Sequence, residues 1–518
     1  MKALIAIVVA LVVLFLAIGT IQDQPTTPGN EEAAKGSIMV FCAAGIKKPV
    51  AAVAKEYEKE FGITVQLQYG GTGTLLSQVR VAKQGDIFIA ADDGAVADAR
   101  KYEATRESVK LAIQYPVIAV KQGNPKGIKS FADLLREDVR VAISNPEAAS
   151  IGKRTQKAAG DQWEALKKNV AVMKPTVTEL AADLTVGSID AAVLWNSTVP
   201  QFEGLEAVEI AEFNDQKDNV SANILEASTQ PQAALKFARY LIAPEKGGKT
   251  FTGMGFKAAK GDKWFEKPEL ILYSGGVNRP AVETLLREFA QREGIELTTV
   301  FNGCGILCAS MQAMTNTANP KFPDAYYACD LCFVPPVAEH FPESVMLTET
   351  DIGIAVRKGN PKKIKTLADL AQPGLKVGLC NAEQSTLGYM TQGMLKSSAL
   401  YDSIRKNVVV EVPTADFLIN QMRAGALEAA IVYEVNFQLQ AEHLEFITID
   451  HEGAKAVQPF SVRGDSPNYA LAGRLLEHLQ NNRDRFEETG FRWTGDQGAV
   501  KSKDIEVPEW LLPKGSKK

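Results

Sequence analysis

A chain of 518 residues, 46% hydrophobic and 23% charged, is long enough for three or four compact units at about 150 residues each. Its net charge of -5, with 57 Lys and Arg against 62 Asp and Glu and no long basic run, provides no electrostatic footprint for a phosphate backbone, which excludes nucleic acid as a partner. The histidines, His340, His443, His451 and His478, lack HExxH-like spacing, so a His-based zinc hydrolase has no ligand set to draw on.

In chain order, the first element is the apolar run Ala3 to Ile21 behind Met1 and Lys2. It reads as a signal peptide or a spanning helix, and either one means export. The run exceeds the usual signal core of about 7 to 15 residues and exits through only the weak small-residue site Ala17-Ile18-Gly19, which favours an uncleaved anchor. No Cys follows it for lipid attachment, and Gln22 to Lys35 is a polar tether. Residues 1–36 are therefore a targeting or anchoring segment with its linker, and the expected location is the periplasm, with a tether to the inner membrane through this helix.

From residue 37 to about 265 the chain reads as one module, which recurs over 269–518. The strand Ser37 to Phe41 runs into Cys42-Ala43-Ala44-Gly45 and then Lys48-Pro49. Later, Leu270 to Tyr273 runs into Ser274-Gly275-Gly276 and Arg279-Pro280, which aligns Gly45 with Gly276. Gly70-Gly71-Thr72-Gly73 matches Asn302-Gly303-Cys304-Gly305, and Ala90-Ala91-Asp92 matches Ala328-Cys329-Asp330. Asn145 and Gly152 match Asn381 and Gly388, and the run Gly187 to Trp195 matches Gly425 to Tyr433. Glu266-Lys267-Pro268 is the joint. Within each copy, short Val/Ile-rich runs such as Ile87 to Ala90, Val139 to Ile143 and Ala191 to Leu194 alternate with helical stretches, the pattern of an α/β fold with a largely parallel sheet.

Three recurring loops place small residues just before a helix: Ala43 to Gly45, Gly70 to Gly73, and Asn145 to Gly152. Backbone N–H groups at helix starts favour negative charge, so three such ends around one cleft would make an anion site from neutral donors, with hydroxyls added by Thr72 and Ser150. Each loop taken alone is ordinary capping. Gly70 to Gly73 lacks the Lys-Ser/Thr of a nucleotide-binding P-loop, and Asp92-Asp93 reads as capping rather than an acid/base pair.

These motifs resemble the molybdate/tungstate-binding proteins of ABC importers, a branch of the type II periplasmic binding proteins. The elements that carry the resemblance are Phe41 to Gly45, Gly70 to Leu75, Asp86 to Asp92, Lys121 to Pro125 and Asn145 to Gly152. The resemblance implies two tandem modules, each of two α/β lobes with a ligand cleft between them. Crossovers are expected near Pro116 to Val120 and after Thr198, with equivalents near Asp351 to Val356 and after Asn436. It implies a non-enzymatic solute-binding protein for a small oxyanion, partnered by importer membrane subunits, with no cofactor. The implied ligand contacts are Gly45, Thr72, Gly73, Ala149 or Ser150, and Trp195. In the second module they are Gly276, Cys304, Gly305, Ser385 or Thr386, and Tyr433. The family usually has Ser at the Gly45 position and Tyr at the Trp195 position. Loss of the phenol and the added bulk of Trp195 imply a weaker hold on a small tetrahedral anion, or a different ligand; Tyr433 restores the hydroxyl.

Five of the six cysteines, Cys304, Cys308, Cys329, Cys332 and Cys380, lie in the second module. Cys304 and Cys308 share a helix face, and Cys329 and Cys332 form a CxxC. The four thiols are open to three readings: local disulfides, since an exported chain meets an oxidising compartment, a soft-metal or thiol-reactive oxyanion site, or unpaired thiols. A sensor or soft-metal-handling protein is the alternative function. If Cys304 pairs at all, Cys329 or Cys332 is a better partner than Cys308, because two residues four apart on one helix direct their Cβ atoms poorly for a disulfide.

Overall fold

The structure, a computed structural model, describes residues 36–314, 317–438 and 440–507. The expectations for the N-terminal apolar run and its linker fall almost entirely on residues 1–35, outside the described residues. Among the described residues no helix is long and apolar enough to cross a membrane.

The apolar runs become strands buried on both faces, as α/β architecture requires: Ile87–Ala90, Val141–Ser144 and Ala191–Trp195 are buried throughout. In the first module they belong to two separate sheets. The first lobe is a 6-stranded sheet in the order Lys257–Ala258, Thr105–Gln114, Asp218–Leu225, Ile87–Ala90, Ser37–Ala43, Thr64–Gly70. The second lobe is a 5-stranded sheet in the order Val170–Lys174, Val141–Ser144, Ala191–Trp195, Pro116–Lys121, Leu205–Val208. The second module repeats both lobes as one 11-stranded sheet, because the strand Glu343–Arg357 runs without interruption from one lobe into the other.

Proline chemistry accounts for this difference. Pro116 has no N–H for the ladder, and the chain breaks at Tyr115, whose N–H donates to the Asn196 side chain at 2.9 Å. The second module has Ile352 there, paired with Tyr433, so the ladder continues. The crossing therefore lies at Tyr115 rather than along Pro116 to Val120. The return crossing falls after Thr198, as expected, once the chain has added the edge strand Leu205–Val208 and before it enters the strand Asp218–Leu225.

Strand register corrects one alignment. Ser37 pairs with Thr64 and Glu269 with Glu296, and the following helices, Lys47–Phe61 and Arg279–Glu293, have 15 residues each. The Asp86 carboxylate accepts the Met39 N–H as the Asp324 carboxylate accepts the Ile271 N–H, both at 2.9 Å. In this frame Gly276 stands with Ala44, and Val277 takes the place of Gly45.

All strands from Ser37 to Ala258 lie in the first two sheets and all from Glu269 to Lys501 in the third. The modules meet through side chains. Arg239, on the helix Pro231–Ile242, and Arg474, on the helix Tyr469–Gln480, both grip Glu293. Arg239 Nη1 lies 3.1 Å from Glu293 Oε2, and Arg474 Nε lies 2.6 Å from Glu293 Oε1, with all three side chains at 7% exposure or less. Burial raises the Glu293 carboxyl, but the two guanidinium groups outweigh it and hold the group below its ordinary range. Asp262, in the segment joining the modules, accepts the N–H groups of Ala470 and Leu471 at 2.7 and 2.9 Å, capping the second-module helix from outside.

Candidate functional site

Four helices of the first module begin at the interlobe cleft: Lys47–Phe61 behind the short turn Ala44–Ile46, Thr72–Ala82, Ser150–Ala159 and Val177–Val186. The starts at Thr72 and Ser150 carry no side-chain cap; one amide in each first turn is already spent, Gly73 N–H on Ala148 O and Gly152 N–H on Ala149 O, which leaves the amides ahead of them, at Thr72 and Ser150, to face a ligand. The lobes are closed. Gly73 N–H donates to Ala148 O at 3.2 Å, and a methyl group on Gly71 would lie 2.4 Å from Ala148 O and 2.6 Å from Pro175 O. Only glycine permits that approach.

Gly45, Thr72, Gly73, Ser150 and Trp195 come together at this cleft, and the three with side chains polar or aromatic are 3 to 6% exposed. Gly45 is accounted for by its neighbours. A Cβ there would sit 2.9 Å from Val177 Cγ2 but at an ordinary 3.9 Å from Trp195 Cδ1, so a side chain at this position would press on the valine methyl rather than on the indole. The Ser150 hydroxyl donates to the Asp92 carboxylate, whose other oxygen caps the helix Asp93–Lys101 through Ala95 N–H at 2.9 Å. Asp92 therefore caps as expected and also latches the two lobes. A second latch is the Arg154–Asp218 ion pair. Burial raises the Asp218 carboxyl, with Arg154 opposing.

Val177, Thr198 and Arg154 were not singled out from sequence. The signal for the fourth helix start was present: Pro175-Thr176 before Val177 recurs as Pro413-Thr414, and Thr176 forms a capping box with Glu179. The Thr198 hydroxyl is buried without a partner, 3.5 Å from where a Gly45 Cβ would lie.

The second cleft has the same frame, with methyl groups on Gly303 and Gly305 meeting Gln384 O and Glu383 O at 2.1 Å. Its lining differs. Cys304 replaces Thr72, Thr386 replaces Ser150, Tyr433 replaces Trp195 and Cys329 replaces Ala91. The Cys304 and Cys329 sulfurs lie 3.0 Å apart, and Cys329 N–H donates to Cys304 Sγ at 3.0 Å. Burial pushes Cys304 up, but hydrogen bonds from Cys329 and Tyr326 and the nearby Thr386 outweigh it, so the thiol lies below its ordinary range. Cys329 is pushed well above its range by hydrogen bonding to Cys304, by burial and by the charge on Cys304. Of the two thiols Cys304 is therefore the more acidic. Thr386 and Tyr433 are 0% and 3% exposed; the Thr386 hydroxyl faces the two thiols and lowers both, and the Tyr433 hydroxyl closes no hydrogen bond, an omission worth about 1–3 kcal/mol for a buried group.

The four-thiol metal set does not form. Cys308 turns to Tyr326 OH at 3.6 Å and Phe333 O at 3.4 Å, and its pKa is pushed up to about 12 by burial. Cys332 is raised by burial and then by Asp330. Among the described residues, the six cysteines are free and no three His, Cys, Asp or Glu converge as a metal site.

The model for the family described as bacterial extracellular solute-binding protein matches residues 38–257 and again 270–492. The chain belongs to this family and carries its module twice. Among its relatives, the molybdate-binding protein ModA of Mycobacterium tuberculosis is 24% identical over 238 residues, 45% of this chain and 89% of that protein. ModA of Escherichia coli is 28% identical over 152 residues, 28% of this chain and 59% of that protein. A thiosulfate-binding protein of Pseudomonas aeruginosa is 32% identical over 123 residues, 22% of this chain and 36% of that protein. Among solved structures, the periplasmic molybdate-binding protein of Azotobacter vinelandii matches 43% of this chain and all of its own, at 15% identity and a TM-score of 0.38.

Proposed function

We propose that the first cleft binds a small tetrahedral oxyanion of the molybdate and tungstate class, and that the chain serves an ABC importer as a receptor without catalytic activity. The observation that carries this reading is the convergence of four helix starts on one closed cleft, two of them with uncapped amides. Such a site offers neutral, preorganised donors to an anion without burying a counter-charge. The relatives named for molybdate and thiosulfate support the ligand class. An N-terminal helix would hold the chain at the periplasmic face of the inner membrane, where handover to membrane subunits takes place. The residues proposed to touch the anion are Gly45, Thr72, Gly73, Ser150 and Trp195, with the Val177 helix start.

Thermal melting of the full chain with molybdate, tungstate, sulfate and thiosulfate tests this. A ligand at a hundred times its Kd stabilises by about 2.7 kcal/mol, so at least one of the four should raise Tm clearly. No shift with any of them would contradict the reading.

A further inference from the structure

In the second cleft the donors point at sulfur. A methyl group on Gly275 would lie 2.2 Å from Cys329 Sγ, so the thiol fills the end of the strand Glu269–Gly275. The Val277 N–H, in the place of Gly45, lowers Cys329 as a hydrogen-bond donor would, and the Cys329 N–H donates to Cys304 Sγ. Amides that would face a bound anion thus point at sulfurs that belong to the protein. An anionic ligand would find these donors already taken, whereas an electron-poor ligand would meet two sulfurs side by side. Across the cleft stand the buried Thr386 hydroxyl, which faces both thiols, and the Tyr433 hydroxyl, buried and without a partner.

We propose that the second cleft is a two-thiol site for a thiophilic metalloid hydroxide, with trihydroxyarsenic(III) as the simplest member. Cys304 Sγ and Cys329 Sγ each form an arsenic–sulfur bond, and two arsenic–oxygen bonds break. The two hydroxyl groups leave as water, each taking the proton of one of the two thiols. Arsenic stays trivalent, so no oxidant or reductant is needed. The third hydroxyl remains on arsenic and meets Thr386 and Tyr433. Sulfurs 3.0 Å apart suit a pyramidal centre whose bonds lie near a right angle. A two-coordinate soft cation such as Cu(I) takes its ligands from opposite sides, which this pair cannot offer. Zinc needs four ligands, and no third His, Cys, Asp or Glu joins the pair among the described residues. The assignment stands on the second cleft alone, independently of the ligand proposed for the first.

The test is alkylation mapping of the reduced full chain with sodium arsenite, copper(I) or molybdate as the probe. The expected result is that arsenite protects Cys304 and Cys329 while leaving the modification of Cys308, Cys332 and Cys380 unchanged. Calorimetry should give one arsenic per chain, with affinity lowered by on the order of a hundredfold in Cys304→Ser and in Cys329→Ser, as loss of one of two bonds to a chelated centre implies. Cys308→Ser should bind as the parent does. Because the protection experiment uses the unaltered chain, a variant that fails to fold does not spoil it. Arsenite that protects neither thiol, protection of the pair by copper(I) or molybdate in preference to arsenite, or a Cys304–Cys329 disulfide that persists under reductant would each overturn the proposal.

Discussion

The two clefts share a frame and differ in what fills it. In the first, the lobes are latched by Ser150 on Asp92 and Arg154 on Asp218, and the strand-end space is taken by Trp195. In the second, the Asp92 equivalent, Asp330, is withdrawn into its own lobe, where it accepts the N–H groups of Cys332 and Val457 at 3.0 Å. By strand register the Asp218 equivalent is Ala456, which pairs with Thr350 as Asp218 pairs with Gln114, so no carboxylate stands there. Removal of both latches frees the Thr386 side of the cleft, and two alanine- or threonine-sized positions become thiols. The same backbone thus frames either hydroxyls and an indole or a pair of adjacent thiols, depending on a handful of side chains.

The comparison assumes that both clefts sit in one body, and its largest test is Glu293→Ala. Removing the centre of a buried Arg–Glu–Arg group leaves two unpaired guanidinium groups and should cost about 3–5 kcal/mol. Calorimetric melting should then separate into two transitions. The same contact has a pH signature. Glu293 is held below its ordinary value of 4.5, so its stabilisation is complete above that value and lost as pH falls through the folded-state pKa. Acid should therefore undock the modules at a pH below the ordinary carboxylate range.

Next in size is Thr72→Val, which should weaken oxyanion binding in the first cleft by about 1–3 kcal/mol, the cost of an unmet anion contact, and leave arsenite binding untouched. Asp92→Asn should act in the opposite direction. It removes a negative charge next to Ser150 while keeping a competent helix cap, so titration should show oxyanion affinity increased by on the order of 1 kcal/mol. The smallest effect is kinetic: at neutral pH Cys304, acidified by its neighbours, should alkylate faster than Cys308, which burial pushes up to about 12.

The duplication is legible in the sequence because its landmarks are local: a Gly-Thr-Gly or Gly-Cys-Gly before a helix, an Ala-Asp after a buried strand. The alignment of Gly45 with Gly276 slipped by one residue because it was anchored on Lys48-Pro49 and Arg279-Pro280. Proline is tolerated at several positions of a first helical turn, and here it stands third in one helix and second in the other. Strand register, a long-range property, is what exposes the slip. The cysteines were visible as an anomaly of placement, but which of them meet depends on how the helix Cys304–Ala313 crosses the strand Ala325–Tyr327. Spacing along the chain could not separate the Cys304–Cys329 contact from the alternatives. Asp92 read correctly as a cap; its second role needed the opposite lobe.

The most direct test of the central claim is equilibrium dialysis of molybdate against the full chain and two variants. The account predicts one molybdate per chain, bound about ten- to a hundredfold more weakly in Thr72→Val and unchanged in Cys304→Ser. Binding that survives Thr72→Val but disappears in Cys304→Ser would place the anion in the second cleft and contradict it.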